Sequence, residues 1–125
     1  MVKLATKNAE VKNFRQPEET RPFEGNGRIE IVTVGGQPVA RGTFEPGWRW
    51  SRNVGPIAGT DRCEASHLGY CLSGRMRVTM SDGGGIDVGP GDAIAIPPGH
   101  DAEVVGDEPC VLIDFGEVSD YARRG

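Results

Sequence analysis

A chain of 125 residues is long enough for one domain with its own hydrophobic core, and it carries 14 basic and 18 acidic side chains for a net charge of −4. The charges are scattered and the longest basic run is the Arg123-Arg124 pair, so the sequence lacks the basic stripe typical of nucleic-acid-binding proteins. Its 19 glycines and 9 prolines are spread along the chain, which favours many turns and short strands over helices.

The cysteines and the N-terminal residues favour a reducing cellular compartment. Cys63, Cys71 and Cys110 are odd in number and form no C-x-x-C spacing, which argues against a disulfide framework and favours a reducing environment. Residues 1–10 contain no apolar segment of the kind found in signal peptides, and no apolar run approaches the length that crosses a bilayer. The sequence therefore predicts a cytoplasmic protein without membrane or nucleic-acid partners.

The two ends of the chain are predicted to flank a single domain at residues 28–117. Residues 1–27 are predicted to form an extended polar arm, since Pro17, Pro22 and the glycines near residue 26 disfavour a helix. Residues 118–125 are predicted to form a short C-terminal tail with room for a helical turn or two.

Nine short strands are predicted after the arm, separated by turn signals rich in glycine and proline. The clearest is residues 75–80, where polar and apolar side chains alternate as in a half-buried strand. The predicted strands cover residues 29–34, 39–44, 48–50, 63–72, 75–80, 86–88, 93–96, 100–105 and 110–115. No helix is predicted between them, and residues 51–60 are interpreted as a long loop. This pattern predicts an all-β antiparallel sandwich or barrel with less than about one-tenth helix.

Two segments of the chain resemble the signature segments of the cupin family. Residues 89–99 read as a Gly-Pro-Gly-Asp turn, a four-residue apolar strand and an Ile-Pro-Pro-Gly turn, and His100 follows, which is similar to the family pattern G-D, strand, P-x-G-x-x-H. The family histidine stands three positions after the last glycine, where this chain has Ala102. Residues 44–50 and 97–101 are also similar to segments of small single-domain bacterial cupins.

The first cupin signature is matched only in its spacing. Family members have H-x-H, then a glutamate and a glycine. Here His67 lies seven residues before Gly74 and takes the place of the glutamate, while Cys63 and Asp61 fall on the two histidines.

The resemblance, which covers residues 40–115, implies a jelly-roll β-barrel or sandwich with a ligand pocket inside it. Cupins include dioxygenases, isomerases, sugar-binding regulators and non-catalytic proteins, so the family leaves the activity open. We interpret the chain as a small-molecule-binding single-domain cupin, with a divalent metal ion as candidate cofactor. The alternatives are a metal-dependent enzyme of the oxygenase or isomerase type and a non-catalytic regulatory or sensor module.

Cys63, His67 and His100 are the candidate metal ligands, because thiolate and imidazole bind first-row metals and the cupin fold brings the two signature segments face to face. Four residues of straight strand span about 13 Å, so Cys63 and His67 can share an ion only if residues 64–66 bend. Asp61 or water is the candidate for a further ligand. A thiolate ligand favours zinc, and two histidines are too few for the histidine-rich set of an iron dioxygenase.

Each candidate also has a structural interpretation. The histidines could be hydrogen-bonded residues of the pocket wall, and Cys63 could be a small buried apolar side chain. Cys63 could instead be a nucleophile with His67 as its base, although the sequence shows no third residue that would orient the histidine. Trp48 and Trp50 are interpreted as core or interface residues.

A homodimer is predicted from the alternation in residues 67–72. If positions 67, 69 and 71 face the interior, Leu68, Tyr70 and Leu72 must lie on the outer face. Three large apolar side chains on one face indicate a cover, which is either the N-terminal arm or a second subunit. Because the arm is largely polar, we expect the second subunit, with the arms as candidates for exchange between subunits.

Overall fold

Two antiparallel sheets make up the fold in the computed structural model, which describes residues 4–124. The strands are β1 (Glu19–Pro22), β2 (Gly27–Val34), β3 (Gln37–Phe44), β4 (His67–Ser73), β5 (Met76–Met80), β6 (Gly85–Val88), β7 (Ala93–Ile96), β8 (His100–Val104) and β9 (Cys110–Asp114). Two short helices, α1 (Trp50–Asn53) and α2 (Gly55–Ala58), lie between β3 and β4. The larger sheet has the order β1-β2-β3-β9-β4-β7 and the smaller one β6-β5-β8.

The predicted all-β antiparallel fold is confirmed, with 43% of the described residues in strands and 7% in helices. The arrangement is the sandwich form of the two predicted alternatives, because the strands divide into two separate sheets within residues 4–124. Nearly every strand predicted after residue 28 is present to within a few residues.

The prediction for residues 48–60 is wrong. The predicted strand at 48–50 is only an isolated bridge between Arg49 and Glu103, and the helices α1, which begins at Trp50, and α2 replace most of the predicted loop. A helix of four residues is too short to show a 3.6-residue periodicity, so the pattern carries no helical signal. Pro56 at the start of α2 and Gly59 after it, at φ 77°, are the local signals that bound this helix.

The hydrophobic core lies between the two sheets. The larger sheet contributes Ile29 and Ile31 of β2, and the smaller sheet contributes Met76 and Val78 of β5, at the alternate positions expected of half-buried strands. An aromatic cluster closes one end of the core, where the Phe44 and Trp48 rings meet edge to face at 4.6 Å and Phe23 stacks on Phe44 at 5.3 Å.

The described part of the arm packs on β2 and β3. β1 pairs with β2, and the backbone of Ala5 donates a hydrogen bond to the Gly35 carbonyl at 3.0 Å. The guanidinium of Arg41 lies over the Phe14 ring at 5.3 Å and pairs with Glu30 at 2.9 Å. Residues 1–3 and 125 of the predicted arm and tail lie outside the described residues, and the division of the chain at residues 27 and 117 stays a prediction.

The C-terminal tail forms turns that pack into the core. Val118 and Ala122 are buried, and the buried Arg21 of β1 donates hydrogen bonds to the carbonyls of Val118 and Tyr121 at 3.0 and 2.8 Å. No helix within residues 4–124 has the length and apolar character needed to span a membrane.

Candidate metal centre and interior cavity

Cys63, His67 and His100 converge at one end of the sandwich. Their ligand atoms all lie within 4.8 Å of one another, and the Cys63 sulfur lies 3.4 Å from His67 Nε2. Cys63 and His100 are almost completely buried. The predicted convergence of the three side chains on one site is therefore found.

Each of the three residues comes from a different part of the fold. His67 is the first residue of β4 in the larger sheet, and His100 is the first residue of β8 in the smaller sheet. Cys63 precedes β4 and pairs its backbone with His100, since its N–H donates to the His100 carbonyl at 2.8 Å. The chain leaves this bridge through residues 64–66, which are not in a strand, and this is the bend that sharing an ion requires. The cluster thus links the two sheets.

Hydrogen bonds fix the orientation of both imidazole rings. His67 Nδ1 donates to Asp114 Oδ2 at 2.6 Å, and His100 Nδ1 donates to the Pro97 carbonyl at 2.8 Å. With Nδ1 of each ring engaged, both Nε2 atoms are the ones left to face the Cys63 sulfur or an ion. Such partners of a histidine ligand fix its tautomer and raise its basicity.

Asp114 reaches His67 because of the register between β9 and β4. Gly69 pairs with Asp114, so the aspartate lies diagonally across from His67 on the same face of the sheet. The two strands approach closely at this point, and a Cβ at position 69 would lie 2.2 Å from the Ile113 carbonyl oxygen. Glycine is therefore required at position 69 to bring Asp114 within reach.

The cluster favours a thiolate beside an imidazolium. Burial acts to raise the pKa of the Cys63 thiol, but hydrogen bonds from His100 and His67 outweigh it and lower the pKa from 9.0 to about 7. Burial acts to lower the pKa of His67, but the hydrogen bonds to Asp114 and Cys63 outweigh it and raise the pKa from 6.5 to about 9.

Tyr121 of the C-terminal tail covers the same site. Its ring meets the His67 ring edge to face at 5.3 Å. Burial, followed by the negative charges of Cys63 and Asp114, raises the pKa of Tyr121 well above 10.0. The Trp50 indole acts to lower the pKa of Tyr121, because its N–H lies near the phenolic oxygen. The contact does not meet the geometry of a hydrogen bond.

A cavity of about 50 Å³ lies between the sheets and reaches the cluster. His67, His100 and Asp114 lie on its wall, and the remainder of the wall is mostly apolar. A second, open groove of about 500 Å³ lies on the other side of Trp50, Val118 and Tyr121, which border both spaces. These three residues therefore separate the cavity from the groove.

Asp61 is not part of the cluster. It is exposed, and the group of metal-ligand types found at this end of residues 4–124 consists of Cys63, His67 and His100. Ala102, at the position of the family histidine, lies on the cavity wall together with His100, as their shared parity on the strand predicts.

Asp114 and Tyr121 are the residues that sequence reasoning missed. Asp114 is the one charged residue in the apolar segment 110–115, and a charge at the end of such a strand was an available signal. Nothing in the local pattern around Tyr121 indicates its contact with His67, which is 54 positions away in the chain.

Comparison with known proteins agrees with this architecture. The model of the Cupin domain family matches residues 53–116, which is just over half of the chain. The chain belongs to the cupin family. No curated protein matches this cupin in sequence.

Solved structures with the same fold include several distant cupins. KdgF from Halomonas sp. has a TM-score of 0.60 and 21% identity, with 92% of this chain and 97% of that chain covered. An RmlC-like cupin from Shewanella frigidimarina has a TM-score of 0.60 and 17% identity, with 90% and 95% covered. A sugar phosphate isomerase of the cupin superfamily from Silicibacter pomeroyi has a TM-score of 0.54 and 19% identity, with 78% and 69% covered. At these identities the likeness shows the fold alone.

Proposed function

We propose that this cupin binds a divalent metal ion through Cys63, His67 and His100 and that the bound ion holds a small molecule in the interior cavity. The observation that carries the proposal is the set of three ligand atoms within 4.8 Å of one another, with Nδ1 of both histidines already engaged. Three protein ligands leave one tetrahedral position open for water or a ligand, as in catalytic or substrate-binding zinc sites.

The donor set favours zinc. In a tetrahedral zinc site with Zn–S of about 2.3 Å and Zn–N of about 2.0 Å, a sulfur and a nitrogen ligand lie about 3.5 Å apart. The Cys63 sulfur and His67 Nε2 are separated by 3.4 Å, which fits this geometry, and the ligand atoms of all three residues, which lie within 4.8 Å of one another, would draw together around an ion. The nearby Asp114 carboxylate is engaged with His67 Nδ1, so it acts as a support for a ligand and does not complete an iron-type set of two histidines and one carboxylate. Free cysteines persist best in a reducing environment, and for that reason we propose a cytoplasmic location.

Elemental analysis of the purified protein tests the metal centre. The protein is prepared without chelator and without added metal, and we expect about one zinc per chain. Stoichiometric iron or manganese would replace zinc in the proposal and favour a metal-dependent enzyme of the oxygenase or isomerase type. Preparations that contain no metal, and that take none up from added zinc, would contradict it.

A second candidate function is nucleophilic catalysis by Cys63 without a metal. Asp114 supplies the orienting residue that the sequence did not reveal, since the Cys63 sulfur, His67 and Asp114 form a continuous chain of contacts at 3.4 and 2.6 Å. The same three residues could act as a thiolate nucleophile, an imidazolium that donates a proton to the leaving group, and the residue that orients this imidazolium. Metal-free protein in which iodoacetamide alkylates Cys63 ahead of Cys71 and Cys110 would favour this candidate, and protection of Cys63 by stoichiometric zinc would favour the metal centre.

We also propose that the protein is a homodimer that pairs through its leucine face, defined as the outward surface of Leu68, Tyr70 and Leu72. These side chains are 59%, 43% and 50% exposed, as the alternation of β4 predicts. The paired strand β7 adds exposed Ala93 and Ala95 beside them, so the patch extends over two strands without a charge. The arm packs on β2 and β3 instead. An uncharged patch of this kind is complementary to a second copy of itself across a two-fold axis.

Analytical ultracentrifugation at micromolar concentration tests the dimer. We expect the wild type to sediment at twice the chain mass and Leu68→Arg to sediment as a monomer, because the interface would bury two unpaired charges. Thr79→Arg places the same charge on the exposed outer side of β5 and should leave the dimer intact. A wild type that sediments as a monomer would contradict this proposal.

A further inference from the structure

The charge of the interior cavity restricts the ligands that it can hold. Among the residues on its wall, all of which belong to the described part of the chain, there is no lysine or arginine. The wall is formed mainly by apolar side chains from both sheets, such as Ile29, Ile96 and Val78. The described wall residues include no lysine or arginine for a phosphate or carboxylate ligand, and the imidazolium of His67 is already paired with Asp114 and the Cys63 thiolate. A further negative charge would therefore be unpaired, which is strongly disfavoured in an apolar site.

The proposed ion does not supply the missing positive charge. If a divalent ion occupies the centre, the Cys63 thiolate and the Asp114 carboxylate balance its two positive charges. The centre is then neutral as a unit, so an anionic ligand would add a net negative charge to the cavity. A neutral ligand with a lone pair can take the open position without that penalty.

Two buried hydrogen-bond donors on the cavity wall lack acceptors. The indole Nε1 atoms of Trp48 and Trp50 are inaccessible to solvent and have no hydrogen-bond partner within residues 4–124. Both rings line the cavity, and both residues are about 2% exposed. Buried donors in folded proteins nearly always have a partner. The Trp50 N–H lies near the Tyr121 phenolic oxygen, which can accept from it after a small shift, so the Trp48 N–H is the donor that favours a bound acceptor atom.

We infer that the ligand of this cavity is a small, uncharged and largely apolar molecule with an acceptor oxygen, such as a ketone, aldehyde, ester or alcohol, and not a carboxylate or a phosphate. Its oxygen accepts from the indole N–H groups or binds the proposed ion, and its apolar part contacts the aliphatic wall. The inference rests on the proposed metal-binding cavity and names the class of its ligand.

The volume of the cavity limits the part of the ligand that enters it. A cavity of about 150 Å³ holds benzene, so one of about 50 Å³ holds a group of only a few non-hydrogen atoms. A longer molecule that extends between Trp50, Val118 and Tyr121 would enter the open groove, because these residues border both spaces. Acetone is therefore a suitable probe of the inner end of the site.

Nuclear magnetic resonance of the zinc-loaded, ¹⁵N-labelled protein tests this inference with two probes of the same shape. Acetone and acetate each have four non-hydrogen atoms in a planar arrangement and differ in charge. The chain has two tryptophans, so the spectrum contains two indole N–H signals and both report on the cavity wall. We expect acetone to shift at least one of them saturably, at a concentration about tenfold or more below that which acetate requires.

Trp48→Phe and Trp50→Phe assign the two signals and serve as matched variants. Each keeps an aromatic ring and removes one N–H, and the remainder of the spectrum reports whether the variant is folded. Loss of the N–H that binds the ligand should weaken acetone binding about two- to tenfold, the usual range for one neutral hydrogen bond. A variant with unchanged acetone affinity identifies the N–H that does not bind, and unchanged affinity in both variants would overturn the role of the indoles.

Two further results would overturn the ligand class. The first is acetate, or inorganic phosphate, that saturates at a lower concentration than acetone. The second is the absence of a saturable shift with any of these probes. The zinc content of the same sample separates this inference from the proposed function. Acetone binding without bound zinc supports the ligand class and contradicts the metal centre. Bound zinc without acetone binding supports the metal centre and contradicts the ligand class.

Discussion

The Cys63→Ser variant is expected to lose at least about 99% of its metal affinity relative to the wild type. Changes to residues that merely support a metal ligand commonly reduce affinity by about 10- to 100-fold, and removal of a ligand itself should exceed that range. The remaining His67 and His100 come from different sheets, and the backbone bridge between Cys63 and His100 holds the third donor between them. Competition with a chromogenic zinc chelator at fixed pH measures the affinities.

Thermal unfolding provides a second measurement of the same prediction. A ligand present at about 1,000 times its Kd stabilises the folded state by about 4 kcal/mol, which corresponds to a Tm shift of roughly 10–20 °C for a domain of this size. Chelator should therefore lower the Tm of the wild type and leave that of Cys63→Ser unchanged. Cys110→Ala removes an equally buried thiol from the far end of β9 and should still respond to chelator. Equal chelator responses in the wild type and Cys63→Ser would contradict the assignment of Cys63 as a ligand.

The fold was predictable because its signals are local. Turn residues such as Gly91 and Gly99, which adopt φ values of 89° and 94°, stand at the ends of strands and mark them in the sequence. The alternation in β5 and β4 gives the inward and outward faces of each strand directly. The two helices were missed because each is a single turn whose existence depends on packing, with Trp50 and Val54 buried against the core.

The cluster of candidate ligands was predictable in part, because its members fall on the two family segments. The positions of Cys63, His67 and His100 could be read from those segments, and the bend at residues 64–66 followed from strand geometry. The residues that surround these candidate ligands could not be predicted from the sequence in the same way. The contact of Asp114 with His67 depends on the register of β9 against β4, and Tyr121 reaches the site from a tail that hydrogen bonds from Arg21 help to hold.

These missed residues change the chemical interpretation of the site. With Cys63 and His67 alone, the sequence indicates two donors of uncertain protonation state. Asp114 retains a proton on His67 Nδ1, and the resulting imidazolium stabilises the Cys63 thiolate in the absence of a metal. The metal-free site is thus an ion pair, and the proposed metal ion would bind it as two neutral imidazoles and a thiolate.

Metal affinity is therefore expected to rise about 100-fold between pH 7 and pH 9. In this window the metal-free site holds the Cys63 thiolate and the His67 imidazolium, whose pKa values are about 7 and about 9. The metal must displace the one proton of that imidazolium, so each pH unit raises the affinity about tenfold. Above pH 9 the affinity should level off. Below pH 7 it should fall more steeply, because the Cys63 thiol then also holds a proton that the metal must displace.

Chelator competition in a series of buffers between pH 6.5 and 9.5 measures this dependence, and Asp114→Asn tests its origin. Without the carboxylate, burial of His67 acts against the charged ring and its pKa should fall, so the affinity of the variant should level off at a lower pH than that of the wild type. Asp87→Asn removes a carboxylate that is 78% exposed on β6 and should leave the profile unchanged. A wild-type affinity that stays constant from pH 7 to pH 9 would contradict this prediction, because it would mean that metal binding displaces no proton from an imidazolium at His67.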